Sequence, residues 1–172
     1  MSRHLILGGA RSGKSSFAQA RAAEGGGAVH VIVTAEAWDD EMRQRIALHQ
    51  QARPPHWHTR EAPHDLPAAV REASAPGRRV LVDCVTLWLS NVLCTTPDAL
   101  DDACDALVAA VAHASGELFI VSNETGWGIV PDNALARRFR DDAGRLNQRL
   151  AQACDTVTLI VAGLPLPLKT AH

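Results

Sequence analysis

The feature that most constrains this chain is a glycine-rich loop near its N-terminus, set between a short apolar run and a helix-like segment. Residues 8–15 read GGARSGKS and fit the pattern G-x-x-x-x-G-K-[S/T] without a mismatch. The apolar residues 4–7 before the loop predict a buried strand, and residues 14–24 after it predict a helix that ends at three glycines. A strand, this loop and a helix in that order are the context in which the pattern binds phosphate.

Each part of the loop has a chemical role toward a phosphate group. Glycines let the backbone curl so that successive N–H groups face one anion, and the helix N-terminus adds its positive dipole end. The Lys14 ammonium can bridge the β- and γ-phosphates, while the Ser15 hydroxyl can ligate Mg²⁺. The alternative, a glycine-rich turn that binds nothing, agrees less well with the flanking elements. The dinucleotide pattern G-x-G-x-x-G is absent because position 10 is alanine.

Further apolar runs alternate with helix-like segments along the rest of the chain. Nearly continuous Val, Ile and Leu predict strands buried on both faces at residues 29–34, 80–83, 118–122 and 157–162, with a weaker strand at 56–61. Helices are predicted at residues 38–51 and 96–113, and the longest helix from about residue 131. The pattern predicts one α/β domain over residues 1–172: a P-loop NTPase-like, mostly parallel, doubly wound sheet with helices on both faces.

The composition excludes two classes of partner. The chain has 172 residues, 47% of them apolar, and its 17 Lys+Arg against 19 Asp+Glu leave a net charge of −2. A basic nucleic-acid surface is therefore not expected, and no apolar run reaches the ~18–20 residues of a membrane span. The four cysteines lack C-x-x-C spacing and the N-terminus lacks a secretory signal. We therefore expect reduced thiols in a cytoplasmic protein with no nucleic-acid partner.

An acidic residue at the end of another predicted strand supports the phosphate-binding interpretation. Asp83 ends the apolar run 80–83, and a carboxylate after a strand can hold Mg²⁺ directly or through water. Ser15 and Asp83 are therefore the predicted metal ligands, the alternative for Asp83 being a solvated carboxylate at a strand end. A base-reading N-K-x-D motif is absent, which removes the best support for a regulatory GTPase.

Several longer blocks are much more specific than the glycine-rich loop. Residues 39–42 read DDEM and residues 45–49 read RIALH, while residues 122–131 read SNETGWGIVP. Together with the loop and with RRFRDDAGRLNQRL at residues 137–150, they resemble the bifunctional adenosylcobinamide kinase / adenosylcobinamide-phosphate guanylyltransferase family of cobalamin biosynthesis. The resemblance extends over nearly the whole chain, from residue 5 to about residue 169.

This resemblance implies two reactions on one scaffold. ATP or GTP first phosphorylates the aminopropanol hydroxyl of adenosylcobinamide; GTP then guanylylates an enzyme histidine, and the GMP passes to adenosylcobinamide phosphate. By its position in R-I-x-x-H, His49 is the nucleophile, joined in catalysis by Lys14. From the residues alone, His49 can also be read as a half-buried histidine on a helix. The resemblance further implies Mg²⁺ and a homotrimer.

The resemblance also implies a set of nucleotide contacts, which fall on three segments and two single carboxylates. They are Gly8, Gly9, Ala10, Arg11, Ser12, Gly13, Lys14, Ser15, Val33, Thr34, Ala35, Gln50, Gln51, Ala52, Arg53, Glu61 and Asp83. On chemical grounds Arg53 would neutralise phosphate charge, and Glu61 would accept hydrogen bonds from guanine, unless it is a surface carboxylate.

Two alternatives remain open at the level of sequence. Asn123 and Glu124 follow a predicted strand, and Glu124 could either bind Mg²⁺ or position the substrate hydroxyl. The whole chain could instead be a small-molecule kinase without nucleotidyl transfer, or a nucleotide-binding module without catalysis. The sequence does not identify the corrinoid-binding residues.

Overall fold

The computed structural model describes residues 2–36 and 53–171, and these contain a seven-stranded sheet in the order β3-β2-β4-β5-β1-β6-β7. All neighbouring strands are parallel except β6 and β7, which are antiparallel. The strands are Ser2–Gly8 (β1), Val29–Val33 (β2), His58–Glu61 (β3), Arg79–Asp83 (β4), Glu117–Asn123 (β5), Thr156–Val161 (β6) and Leu164–Lys169 (β7).

Five α-helices connect these strands within the described residues. They are Lys14–Ala23 (α1), Leu66–Ala73 (α2), Val85–Thr95 (α3), Leu100–Ala112 (α4) and Ala134–Ala153 (α5). A short 3-10 turn, Pro97–Ala99, leads into α4. None of the helices in residues 2–36 and 53–171 is long and apolar enough to cross a membrane.

The sheet is buried on both faces because its strands alternate between two apolar clusters. In β1, Leu5 and Leu7 join the cluster that packs against α2, α3, α4 and α5, whereas Ile6 joins the cluster that packs against α1. The same alternation holds in β5, where Leu118 and Phe119 belong to different clusters. This explains the continuous apolar runs of the sequence and confirms the mostly parallel α/β sheet with helices on both faces.

The register of the central strands brings their carboxyl ends to one edge of the sheet. Gly8 of β1 lies opposite Asn123 of β5, and Asp83 of β4 lies opposite both Val121 of β5 and Val33 of β2. The loops that follow β1, β2, β4 and β5 therefore meet there, as is usual for ligand sites in parallel α/β sheets.

The five main predicted strands and the weaker one are all present, with boundaries shifted by one or two residues. The predicted helix start at Thr96 and Pro97 is the start of the 3-10 turn, of which Thr96 is the N-cap, and the α-helix itself begins at Leu100. Thr96 is also the C-terminal cap of α3 and donates its hydroxyl to the Val92 carbonyl. The longest helix begins at Ala134, later than predicted, because the Asn133 side chain caps it by accepting from the Ala136 N–H. The predicted helix over residues 38–51 lies outside the described residues.

Three elements were not predicted from the sequence. The helix α3 is apolar nearly all around, so it lacks the one-sided pattern of a surface helix. The helix α2 lies in a proline-rich region that resembles a loop in sequence. Its sequence nevertheless carries two helix-start signals, because Asp65 caps it and a proline stands in its first turn. The strand β7 alternates leucine and proline, which is possible because it lies at the edge of the sheet.

An ion pair joins the start of β1 to the residue before β6. The Arg3 guanidinium donates two hydrogen bonds to Asp155, and the Arg3 backbone N–H donates a third. These bonds hold the pKa of Asp155 below its ordinary value. Because the unfolded carboxyl has a pKa of about 3.9, the pair stabilises the fold above that pH and loses its contribution as the pH falls through the folded-state pKa.

We expect Asp155→Asn to lower the free energy of unfolding by about 1 kcal/mol at neutral pH, a modest value because the pair is partly exposed. The difference from the wild type should shrink progressively below about pH 4. Urea denaturation across this pH range measures both effects. Asp132→Asn, at an exposed position, is the control; a difference that stays constant with pH would contradict the assignment.

Candidate active site

The glycine-rich loop needs glycine at two positions, Gly8 and Gly13. At Gly8 a Cβ atom would lie 2.5 Å from the Ile160 carbonyl oxygen and 2.6 Å from the Ser12 hydroxyl, and φ is +156°. Gly13 is the N-cap of α1 with φ of +98°, in the range that disfavours every residue with a side chain. The loop pattern therefore encodes this turn directly.

Neighbouring strands hold the loop in place through backbone hydrogen bonds. The Gly163 N–H, in the turn between β6 and β7, donates to the Ser12 carbonyl at 2.9 Å. The Glu124 N–H, just after β5, donates to the Gly8 carbonyl at 3.0 Å. The loop is thus preorganised by the strands on both sides of β1.

Lys14 is folded into this loop. The residue is only 7% exposed, and its ammonium donates to the Gly9 carbonyl at 2.6 Å. Burial lowers the pKa of Lys14, although the negative charge of Asp83 acts in the opposite direction. A desolvated ammonium beside successive backbone N–H groups is suited to binding an oxyanion.

Ser15 and Asp83 form an oxygen pair beside the lysine. The Ser15 hydroxyl donates to the Asp83 carboxylate at 3.1 Å, which joins the first turn of α1 to the end of β4. A hydroxyl and a carboxylate are the hard oxygen ligands that Mg²⁺ takes when nucleotide phosphates complete its coordination. The described residues contain no cluster of three or more His, Cys, Asp or Glu side chains able to hold a metal by themselves. The pair therefore fits Mg²⁺ that arrives with a nucleotide.

Arg53 brings a second buried cation to the same place. Its side chain is 4% exposed, and its Nη2 lies 3.7 Å from the Asp83 carboxylate. Among the described residues, its Nε and Nη1 atoms have no hydrogen-bond partner. Burial lowers the pKa of the guanidinium, with Asp83 opposing. Buried donors without a partner are rare in folded proteins, and an anionic ligand is one group that could supply acceptors to these atoms.

The predicted contact residues after β2 lie beside this cluster. The Thr34 hydroxyl donates to the Cys84 carbonyl at 2.6 Å and accepts from the Cys84 N–H at 3.1 Å. Asn91 donates to the Thr34 carbonyl, so the backbone after β2 is fixed against the backbone after β4. Burial raises the pKa of the Cys84 thiol to about 11, which makes this cysteine a packing residue rather than a nucleophile.

Of the remaining predicted site residues, three lie at the same edge of the sheet and four lie outside the described residues. Val33 and Ala35 flank Thr34, and Glu61 is exposed at the end of β3, opposite Val33 in the register. Glu61 therefore reaches the same sheet edge, two strands away from Asp83. The predicted nucleophile and three predicted nucleotide contacts lie outside the described residues: His49, Gln50, Gln51 and Ala52.

A buried polar chain at the end of β5 adds residues that the sequence analysis missed. The Asn123 N–H donates to the Thr86 hydroxyl, Thr86 contacts Ser122, and Ser122 donates to Asn147. Asn147 in turn donates to the Asn123 carbonyl at 3.0 Å and to the Glu124 carboxylate at 3.4 Å. One signal was available in the sequence, because Asn147 lies next to Leu146 on the apolar stripe of the longest helix.

Two solved structures resemble the fold at low sequence identity. A protein of Pyrococcus horikoshii OT3 has a TM-score of 0.59 and 8% identity, covering 99% of this chain and 87% of that one. An ATPase from the type III secretion system of pathogenic bacteria has a TM-score of 0.51 and 11% identity, covering 96% of this chain and 56% of that one. These similarities support the P-loop NTPase-like fold alone.

Sequence relatives extend over almost the whole chain. The "Bifunctional adenosylcobalamin biosynthesis protein CobP" of Pseudomonas aeruginosa is 52% identical and covers 97% of each chain. Proteins called "Bifunctional adenosylcobalamin biosynthesis protein CobU" are 39% identical in Salmonella typhimurium and 40% identical in Escherichia coli, each covering 96% of this chain and 98% of its own. The profile of the family described as "Cobinamide kinase / cobinamide phosphate guanyltransferase" matches residues 4–168. The chain belongs to this cobinamide kinase / cobinamide phosphate guanyltransferase family.

Proposed function

We propose that this protein phosphorylates adenosylcobinamide and then, through an enzyme-bound GMP, converts the product to adenosylcobinamide-GDP. The observation that carries the proposal is the gathering of two buried cations, Lys14 and Arg53, around the Ser15–Asp83 oxygen pair. This arrangement provides for a triphosphate and its Mg²⁺ at one sheet edge. It occurs in a family member whose relatives are named as bifunctional enzymes of adenosylcobalamin biosynthesis.

In the kinase reaction, the aminopropanol hydroxyl attacks the γ-phosphorus of ATP or GTP. Lys14 and the N–H groups of residues 8–15 bind the β- and γ-phosphates and stabilise the charge that develops on them. Ser15 and Asp83 would hold Mg²⁺ when the nucleotide is bound, and the ion would further neutralise that charge. Phosphoryl transfer depends mainly on such positioning and electrostatics, and the cluster provides both.

In the guanylyltransferase reaction, His49 is the nucleophile toward the α-phosphorus of GTP. A phosphorus–nitrogen bond forms, the bond to the bridging oxygen breaks, and pyrophosphate leaves. A phosphate oxygen of adenosylcobinamide phosphate then attacks the same phosphorus and releases the histidine. Arg53, four residues after His49, would neutralise the phosphate charge during both displacements, which would use the buried donors that have no partner among the described residues.

Residues at the ends of the outer strands β3 and β2 would select guanine over adenine. The Glu61 carboxylate can accept hydrogen bonds from the N1–H and 2-amino groups of guanine, which adenine does not present together. Its exposure at the end of β3 leaves it accessible to a nucleotide base. Val33, Thr34 and Ala35, with Gln50, Gln51 and Ala52, complete the proposed nucleotide contacts.

The proposal also covers the domain organisation, the cellular location, the assembly and the corrinoid-binding surface. A single domain over residues 1–172 would carry both activities in the cytoplasm, as a homotrimer and without a nucleic-acid partner. For the corrinoid, the structure offers an apolar surface between β5 and α5, where Trp127 is 72% exposed, Ile129 97% and Val130 61%. Large exposed apolar side chains in one segment are typical of binding surfaces.

The alternative function, a small-molecule kinase without nucleotidyl transfer, is not favoured. All three relatives are named as bifunctional proteins, and the chain covers 96–97% of its length in each comparison. The two functions differ in one observable: only the bifunctional enzyme forms a covalent adduct between GMP and the protein.

The first experiment is incubation with GTP labelled at the α-phosphate, followed by denaturation and intact mass analysis. We expect a GMP adduct on the wild type that is acid-labile and base-stable, as a phosphorus–nitrogen bond should be. His49→Ala should give no adduct, while His113→Ala, at the exposed end of α4, should react like the wild type. A folded wild type that binds GTP with Mg²⁺ but forms no adduct would favour the kinase alone.

A second prediction concerns Arg53. Arg53→Met should lower the rate of adduct formation by about 100-fold, the effect of removing a donor that stabilises transition-state charge. Arg53→Lys should be intermediate, because a lysine keeps the charge but not the planar fork. Quenched-flow measurement of adduct formation tests this, with the exposed Arg71→Met of α2 as control and thermal unfolding to verify folding. Equal rates in all variants would remove Arg53 from the mechanism.

A third prediction concerns the apolar surface between β5 and α5. Trp127→Ala should raise the KM for adenosylcobinamide about tenfold, because it removes one large exposed aromatic contact. Adduct formation from GTP needs no corrinoid and should be unchanged in the same variant. An unchanged KM would show that the corrinoid binds elsewhere.

A further inference from the structure

The geometry points to Glu124 as the group that accepts the proton of the acceptor hydroxyl in the kinase reaction, with Asn147 as the positioning residue that holds its carboxylate. The inference rests on the kinase half of the proposed function and goes beyond it by assigning two residues. It is carried by the place of Glu124 in the sheet and by the chain of hydrogen bonds behind it.

Glu124 lies between the phosphate loop and the metal-binding strand. It directly follows β5, and β5 lies between β1, which leads into the loop, and β4, which ends at Asp83. Its backbone N–H donates to the carbonyl of Gly8, the first residue of the loop, at 3.0 Å. A carboxylate at this position is therefore close to where the loop presents the terminal phosphate of a nucleotide.

The direction of each hydrogen bond in the buried chain can be worked out from its two ends. The side-chain amide of Asn147 donates its two N–H groups to the Asn123 carbonyl and the Glu124 carboxylate. Its side-chain oxygen therefore faces Ser122. Ser122 therefore donates its hydroxyl proton to Asn147, and Thr86 must donate to Ser122.

At the far end of the chain, the Asn123 N–H donates to the Thr86 hydroxyl at 2.7 Å. Every member then has a defined role as donor or acceptor, which fixes the rotamer of Asn147. The Asn147–Glu124 bond is long at 3.4 Å, and it reaches a side chain that is only half-buried. The rigid part of the network thus ends at a carboxylate that remains open to a ligand.

The carboxylate lies on the opposite side of the sheet edge from the metal pair. Ser15 belongs to α1, which packs on one face of the sheet, whereas Asn147 belongs to α5, which packs on the other. Asp83 is bonded to Ser15 on the α1 side. This separation favours the substrate-hydroxyl role of Glu124 over the Mg²⁺ role, the two alternatives that the sequence left open.

The acceptor also has a surface from which to approach. The segment that follows Glu124 exposes Trp127, Ile129 and Val130. An acceptor with a large apolar body and a single reactive hydroxyl, as adenosylcobinamide has, would be bound beside Glu124 rather than beside Asp83. Here the same surface that the proposed function assigns to the corrinoid adjoins the proposed base.

The chemical step balances without any further reactant. The hydroxyl oxygen forms a bond to the γ-phosphorus, the bond between that phosphorus and the β–γ bridging oxygen breaks, and the nucleoside diphosphate leaves. The hydroxyl proton passes to the Glu124 carboxylate and from there to solvent. Guanylylation of His49 needs no acceptor hydroxyl, so this proton transfer belongs to the kinase reaction alone.

The test compares the two reactions in Glu124→Gln. We expect kcat for phosphorylation of adenosylcobinamide to fall by about 100-fold, the lower range for loss of a general base. The KM for the nucleotide and the rate of GMP adduct formation should stay within about threefold, since neither uses the carboxylate. A kinase kcat close to that of the wild type, or an equal loss in both reactions, would overturn the assignment of Glu124.

Asn147→Asp tests the positioning role. Aspartate keeps the acceptor for Ser122 but loses the N–H donors and repels Glu124, so we expect kinase kcat to fall by about tenfold or more. The double variant with Glu124→Gln should be no slower than Glu124→Gln alone, because Asn147 acts through that carboxylate. Losses that multiply instead would overturn the positioning role. Gln148→Ala, exposed at the next position of α5, is the matched control.

Folding is verified by thermal unfolding, and Asn147→Ser replaces Asn147→Asp in the cycle if the aspartate variant does not fold. Measuring the GMP adduct also distinguishes failure of the proposed function from failure of the inference about Glu124. A wild type that neither forms the GMP adduct nor phosphorylates adenosylcobinamide would contradict the proposed function. A wild type that does both, with Glu124→Gln unimpaired in the kinase reaction, would contradict only the inference about Glu124.

Discussion

Burial of two positive charges at one sheet edge is the constraint on which the site depends. Lys14 and Arg53 are both largely shielded from water, and burial lowers the pKa of each. Among the described residues, Asp83 lies 3.7 Å from Arg53 and also accepts a hydrogen bond from Ser15. A buried charge is costly unless it is paired, and an anionic ligand with several oxygens would supply further partners to these two cations. The proposed nucleoside triphosphate with Mg²⁺ would be such a ligand.

The parallel sheet makes this concentration of charge possible. Parallel strands place all their carboxyl ends at one edge, and each following loop can contribute a residue without long excursions of the chain. The order β4-β5-β1 determines which groups are neighbours at this edge: Asp83 at the end of β4, Asn123 and Glu124 at the end of β5, and the phosphate loop after β1. The cores on the two faces are separate, so α1 and α5 hold different groups at the same edge.

The sequence predicted those parts whose signals are local. The loop pattern fixes glycines at positions where a side chain has no room, as at Gly8, and continuous apolar runs mark strands covered on both faces. It could not predict the network around Asn147, because that network joins residues from α3, β5 and α5 that are distant in the chain. It also missed α3 and β7, where an all-apolar helix and a proline-rich edge strand lack the usual periodicity. The placement of His49 lies outside the described residues and stays a prediction.

Two transfer reactions at one nucleotide site require that their attacking groups do not compete. In the proposed function, the γ-phosphorus is attacked by a substrate hydroxyl, and the α-phosphorus by a histidine of the chain itself. In the structure, Glu124 follows β5 and accepts from Asn147 of α5, whereas Arg53 lies 3.7 Å from Asp83 at the end of β4. A hydroxyl acceptor needs a base, whereas a neutral imidazole attacking a phosphorus needs none and depends on charge neutralisation instead. In this proposal the Glu124 carboxylate serves the kinase reaction and the Arg53 guanidinium serves guanylyl transfer, so that one phosphate loop would support both.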